Sequence, residues 1–122
     1  MDIQQLYDYC LSKKGVTEHF PFDEDTLVFK VMGKMFCLAS LHEWEKGNPS
    51  LNLKCDPDYA LVLRDEFESV QPGYHSNKKH WNTVYVNREI PDKKVIHFIN
   101  HSYELVAAKL PKKEREMLSN ME

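Results

Sequence analysis

Residues 26–41 read TLVFKVMGKMFCLASL. Two runs rich in β-forming side chains, Leu27–Val31 and Met35–Leu41, flank Gly33-Lys34. Branched and aromatic side chains suit a pleated surface, and a glycine between two such runs marks a turn. The stretch predicts a β-hairpin, and therefore antiparallel pairing.

Upstream, Ile3, Leu6, Tyr7, Cys10 and Leu11 recur at helical spacing and predict a helix over 2–13. Gly15 ends it, with Lys13 and Lys14 well placed near its C-terminus. TEHFPFDEDT, with Pro21 and a cluster of acids, reads as a loop. Downstream, HEWEKGNP reads as another loop and residues 50–54 as a third strand. Asp56 and Pro57 suit an N-cap and first helical position, and Tyr59, Leu63 and Phe67 then recur every four residues. Residues 69–75 read as extended with a Pro-Gly turn, and WNTVYVN, within 79–87, as a strand. Pro91-Asp92 opens a long helix. Its stripe is Val95, Phe98, Ile99, Val106 and Leu110, with Ser102 on the same face. Pro111 breaks it, and KKEREMLSN forms a short last helix. Tight turns and segregated helices predict the α+β class: an antiparallel sheet of about five strands with helices packed on one face. The βαβ alternation of a parallel sheet is absent.

The 122 residues suit a single domain spanning 1–122 with one core. Aromatics at 11% argue against disorder. Cys10, Cys37 and Cys55 are odd in number and form no CxxC pair, which suits a reducing, cytoplasmic setting rather than a disulfide framework. No apolar run is long enough for a membrane helix. The start MDIQQLYDYC has two acids before any base, unlike a signal peptide.

The net charge of −3 argues against a uniformly basic polyanion binder. It is unevenly spread, however. Residues 17–71 hold five Lys or Arg against eleven Asp or Glu, whereas residues 72–101 hold five against two. The basic stretch also holds His75, His80, His97 and His101. Its densest part is PGYHSNKKHWNTVYVN, residues 72–87. Pro72-Gly73 supplies a turn that lets backbone approach a partner closely. Lys78, Lys79 and His80 supply charge and donors. Asn77 and Asn82 suit phosphate oxygens or base edges, and Tyr74 and Trp81 suit stacking. The same pattern also suits a hairpin whose Trp81 fills the core and whose lysines are merely solvated.

The segments FPFDEDTLVFKV (20–31), GKMFCL (33–38), LNLKCDP (51–57), PGYHSNKKHWNTV (72–84) and SYELV (102–106) come in the order of the MmcQ/YjbR-like family, which the chain resembles over nearly its whole length. The resemblance implies an α+β sandwich similar to frataxin and CyaY, and a "double wing" DNA-binding motif. Carried onto this chain, the motif positions are Gly73, His75, Asn77, Lys78, His80, Trp81 and Asn82. Ser76 stands where the family commonly has methionine. With Lys79 and Arg88 these residues form the expected nucleic-acid or anion site.

Other groupings are weaker. His97, His101 and Glu104 share a helical face but lack the HExxH signature. Asp23, Glu24 and Asp25 have no EF-hand spacing, and a frataxin-like iron site would need acids on the first helix, which has only Asp2 and Asp8. Cys55, beside Lys54 at a helix start, is the best placed thiol. Ser102, His101 and Asp92 come without a nucleophile elbow. No catalytic, metal or cofactor motif is present, so the chain is expected to be a non-enzymatic, monomeric cytoplasmic binding module. Its partner would be DNA or, alternatively, a protein or small anionic ligand.

Overall fold

The computed structural model describes residues 1–73 and 77–121. Six strands form one sheet: β1 (Val16–His19), β2 (Thr26–Val31), β3 (Lys34–Ser40), β4 (Ser50–Lys54), β5 (Val70–Pro72) and β6 (Trp81–Tyr85). Their spatial order is β1-β2-β3-β4-β6-β5, with every neighbouring pair antiparallel. Five helices among the described residues accompany them: α1 (Ile3–Leu11), α2 (Leu41–Glu45), α3 (Pro57–Glu66), α4 (Asp92–Ala108) and α5 (Lys112–Ser119). The α+β class therefore holds, with six strands where about five were expected.

The hairpin in the opening stretch is β2 and β3. Val31 pairs with Lys34, so the two turn residues are Met32 and Gly33 rather than Gly33-Lys34. Both have positive φ, 49° and 84°. That is the twist-matched two-residue hairpin turn, and it needs a glycine where the backbone is most left-handed. A bulge places Phe29 opposite Cys37 and Lys30 opposite Met35, leaving Phe36 as the extra residue. Phe36 and Cys37 are both buried as a result, and Phe36 meets Tyr103 of α4 edge-on at 5.5 Å.

Two elements fall where loops were expected. The edge strand β1 overlaps the reach expected to be loop, TEHFPFDEDT, and has no buried residue; Val16 packs against the core, and backbone pairing with β2 holds the rest. Within HEWEKGNP, α2 is one short turn capped by the Ser40 hydroxyl, which accepts from Glu43 N–H. Five residues are too few to show a helical period.

Helices α1, α3 and α4 pack on one face of the sheet; the other, the open face, is partly exposed at most positions, with Val28 and Thr83 on it buried. Leu27, Phe29, Val31, Ala39, Leu51, Leu53 and Val84 join Leu6 and Cys10 of α1, Ala60 and Leu63 of α3, and Val95, Phe98, Ile99 and Val106 of α4 in one core. Strand alternation turns Lys30, Leu38, Ser50, Asn52, Lys54, Trp81, Thr83 and Tyr85 to the other side. Ser102 is fully buried. Its Oγ donates to Phe36 C=O at 2.5 Å and accepts from Lys54 N–H at 2.9 Å, tying α4 to β3 and to the end of β4.

Candidate nucleic-acid interface

The segment before β6 forms a tight turn over Asn77–His80. Asn77 organises it: its C=O accepts from His80 N–H (3.1 Å) and Trp81 N–H (2.9 Å), and its Oδ1 accepts from Lys79 N–H (3.0 Å). This is the local side-chain-to-backbone bonding that asparagine favours in turns. Asn77 thus shapes the turn. Lys78 and Lys79 are exposed on it, and neither is in an ion pair among the described residues. His80 is partly buried, and its C=O accepts from Cys55 N–H at 2.8 Å.

Arg64 of α3 holds this turn from below. Its Nε donates to Asn82 Oδ1 at 2.7 Å, and its Nη2 donates to Lys78 C=O and, at 3.3 Å, to Trp81 C=O. Sequence reasoning missed it. The available signal was position: Arg64 lies four residues after buried Ala60 and next to buried Leu63, so a cation there needs acceptors from elsewhere in the fold.

The expected site residues are only partly brought together. Gly73 is buried, and its N–H donates to Trp81 C=O at 2.8 Å. A Cβ there would come within 2.8 Å of both Trp81 Cβ and Trp81 O. The close approach it permits is therefore to its own chain, not to a partner. Asn82 is 2% exposed, facing the packed side with its Oδ1 on Arg64, so it does not present a surface amide. Arg88 is exposed but stands beyond the far end of β6, where its guanidinium lies 4.3 Å over the Tyr85 ring and donates to Asn48 Oδ1 at 2.8 Å. It is separated from Lys78 and Lys79 by the whole of β6. Tyr74, His75 and Ser76 lie outside the described residues. Trp81 does not fill the core: it sits on the open face opposite Lys54 and is absent from the core and from the side chains packed against it.

The weaker groupings have structural roles. Asp23 Oδ1 accepts from Asp25 N–H and Thr26 N–H, and these bonds, chiefly the one from Thr26, hold its pKa below the usual value. Asp25 accepts from Ser40 Oγ and His42 N–H, each at 2.7 Å. Burial lowers the pKa of His101, whose Nε2 accepts from Asp56 N–H at 3.3 Å. Among the described residues no three His, Cys, Asp or Glu side chains are placed to hold a metal ion. Burial pushes the Cys55 thiol up to about 11, the opposite of a reactive cysteine. Cys37, buried against Cys10, is raised as well. Ser102 is committed to two backbone groups, and Asp92 binds the Met1 ammonium at 3.0 Å, so neither takes part in a triad.

The YjbR family model matches residues 11–105, which includes the hairpin, the Arg64 anchor and the lysine turn. The chain belongs to the YjbR family. It is 31% identical to the uncharacterized protein YjbR of Escherichia coli K12, over 97% of this chain and 98% of that one. It is 40% identical to the uncharacterized protein YbdF of Escherichia coli O157:H7, over 95% and 96%. A crystal structure of a Deinococcus radiodurans protein with the DUF419 domain matches with a TM-score of 0.86 and 36% identity, covering 97% of this chain and 88% of that one. A Pseudomonas syringae protein matches with a TM-score of 0.73 and 27% identity, covering 87% and 99%. The family match runs from the end of α1 into α4 and takes in all six strands described above.

Proposed function

We propose that this YjbR-family protein is a DNA-binding module that grips the phosphate backbone through its Asn77–His80 turn. The observation behind this reading is the presentation of Lys78 and Lys79: exposed, unpaired among the described residues, and carried on a turn fixed by Asn77 and Arg64. A preorganised pair of cations loses little freedom when it meets phosphates, and phosphate contacts of this kind position a protein on nucleic acid. Two large concavities among the described residues lie elsewhere, lined by neither lysine, which favours an extended polyanion over a small anion held in either of them. Three free, buried cysteines suit work in the reducing cytoplasm, and no helix among the described residues is long and apolar enough to cross a membrane.

Fluorescence anisotropy with a labelled DNA duplex tests the reading. Affinity should fall steeply with salt, and Lys78→Ala/Lys79→Ala should flatten the log–log salt slope by about two units if each lysine meets one phosphate. No binding at about 50 mM salt, or an unchanged slope in the double variant, would refute it.

A further inference from the structure

We infer that the open face of the sheet takes unpaired nucleobases, so that the preferred partner is a single-stranded segment rather than a closed duplex. This deepens the nucleic-acid reading and rests on it. Trp81 and Tyr85 both project from β6 to the open side, with the buried Thr83 between them, and neither ring packs against the core. The Trp81 indole N–H and the Tyr85 hydroxyl have no hydrogen-bond partner among the described residues. The other tryptophan, Trp44, donates its N–H to Ser50 C=O at 2.8 Å and packs against the core. A half-covered aromatic with an unused donor is what a stacking platform needs, since every base offers a π-face.

Beside Tyr85 a trough of about 590 Å³ crosses the open face, a size ordinary for a small-molecule site. Phe22, 62% exposed, stands at one side and Tyr85 at the other, and Ser50 and Asn52 lie on the floor between. Asn52 Oδ1 accepts from Thr83 Oγ1 at 2.7 Å, which leaves the Asn52 amide N–H groups pointing to no partner among the described residues. Aromatic walls with an amide and hydroxyls between them match the faces and edges of a base.

Charge says which way a strand would lie. Cations sit at the ends of the aromatic row: Lys54 pairs across from Trp81, Lys78 and Lys79 stand on the adjoining turn, and Arg88 covers Tyr85. Asp25 and Glu43 line the trough itself. Both are already satisfied, Asp25 by Ser40 and His42, Glu43 by Asn48 and Lys46. The bond from Asn48 and the ammonium of Lys46 also hold Glu43 below the usual carboxylate range. Two carboxylates repel a phosphate from the trough while leaving it open to a neutral base, so bases point in and the backbone runs outward to the lysines.

Duplex DNA does not fit this arrangement. Trp81 and Tyr85 are four residues apart on one strand, roughly 13 Å, far beyond the ~3.4 Å step between stacked bases. A duplex shows a flat surface its phosphates and base edges, never two base faces so far apart. Only splayed, unpaired bases can meet both rings.

The test is anisotropy with a labelled single-stranded oligonucleotide, the duplex of the same sequence and a free mononucleotide, read alongside tryptophan emission. The single strand should bind tighter than the duplex and quench emission, and the quench should vanish in Trp81→Phe. Tyr85→Leu should weaken single-strand binding by roughly 5- to 150-fold, the range for one base–aromatic stack, while leaving duplex affinity unchanged. The wild-type comparison of single strand with duplex decides the matter even if Tyr85→Leu folds poorly. Equal or tighter binding of the duplex, with Tyr85→Leu and the emission silent, would overturn the sheet-face inference and leave the lysine-turn reading standing. Saturation of the same quench by the mononucleotide alone would overturn the choice of a strand as partner. Absence of binding by any of the three at about 50 mM salt would remove both readings.

Discussion

Replacing Arg64 by methionine isolates the part of the fold that presents the lysines. The substitution keeps much of the side-chain length and removes three donated hydrogen bonds, to Asn82 Oδ1, Lys78 C=O and Trp81 C=O. The Lys78 carbonyl lies on an exposed turn and can turn to water. Asn82 cannot: it is 2% exposed, and its Nδ2 already lacks a partner among the described residues. Leaving its Oδ1 unpaired too should cost about 2 kcal/mol, within the range for a buried group that loses its partner. For a chain of this length that is a fall of about 8 °C in Tm. The partner substitution makes the argument specific. Asn82 adjoins Leu53, Leu63, Val84 and Phe98, so leucine suits its surroundings. Exchanging both members of a hydrogen-bonded pair for apolar groups is often nearly neutral. Arg64→Met/Asn82→Leu should therefore be at least about 1 kcal/mol more stable than the sum of the two single effects predicts. Chemical denaturation of the four proteins closes the cycle. The turn is a separate readout: because the double variant regains stability without regaining the bond to Lys78, its DNA affinity should remain below wild type. Strict additivity, or a loss under about 0.5 kcal/mol in Arg64→Met, would refute the anchoring role.

Ser102→Ala should cost about 2–3 kcal/mol by urea unfolding, because it strands the Phe36 C=O and the Lys54 N–H that the hydroxyl satisfies inside the fold; an effect under 1 kcal/mol would contradict that. His101 makes stability depend on pH. Burial lowers its folded pKa, the nearby His97 lowers it further, and Asp56 and Glu104 oppose the shift. The unfolded chain then binds a proton more readily, so the contribution is present above about pH 6.5 and is lost as pH falls from there toward the folded pKa. Tm measured between pH 7.5 and 5.5 should drop less in His101→Gln than in wild type, and parallel curves would refute the assignment.

The long-range design was legible where burial imposes a period. All six residues of the stripe predicted for the long helix are buried, and Asp56 caps α3 by accepting from Tyr59 N–H at 3.1 Å. Features fixed by tertiary contact were not legible. Nothing in VTEH marks an edge strand, because β1 depends on β2 for its backbone bonds. The motif at 72–82 was visible as a cluster, but which of its members turn inward was not. Gly73 and Asn82 owe their burial to Trp81 and Arg64, and that follows from the register of β5 on β6 and from a helix 18 residues earlier in the chain. Lys78 and Lys79 escape this ambiguity because a charged side chain without a buried partner stays in water.

The uneven charge of the sequence takes on a meaning once the faces are assigned. Four of the eleven acids of the 17–71 stretch are gathered at one place: Asp56, Asp58, Asp65 and Glu66 lie on or beside α3, on the covered side, and are exposed there. Two of the four lysines of that same stretch go the other way. Lys30 and Lys54 project from β2 and β4 to the open face, and Lys54 pairs across from Trp81, beside the turn bearing Lys78 and Lys79. Strand alternation thus brings Lys54 beside Lys78 and Lys79, a local cluster of cations in a protein whose net charge is −3. On the proposed reading, a polyanion would be drawn to that cluster and repelled by the acids of α3, which would give the encounter an orientation. If the proposed nucleic-acid reading holds, that orientation would turn α3 away from the nucleic acid and the open aromatic face toward it.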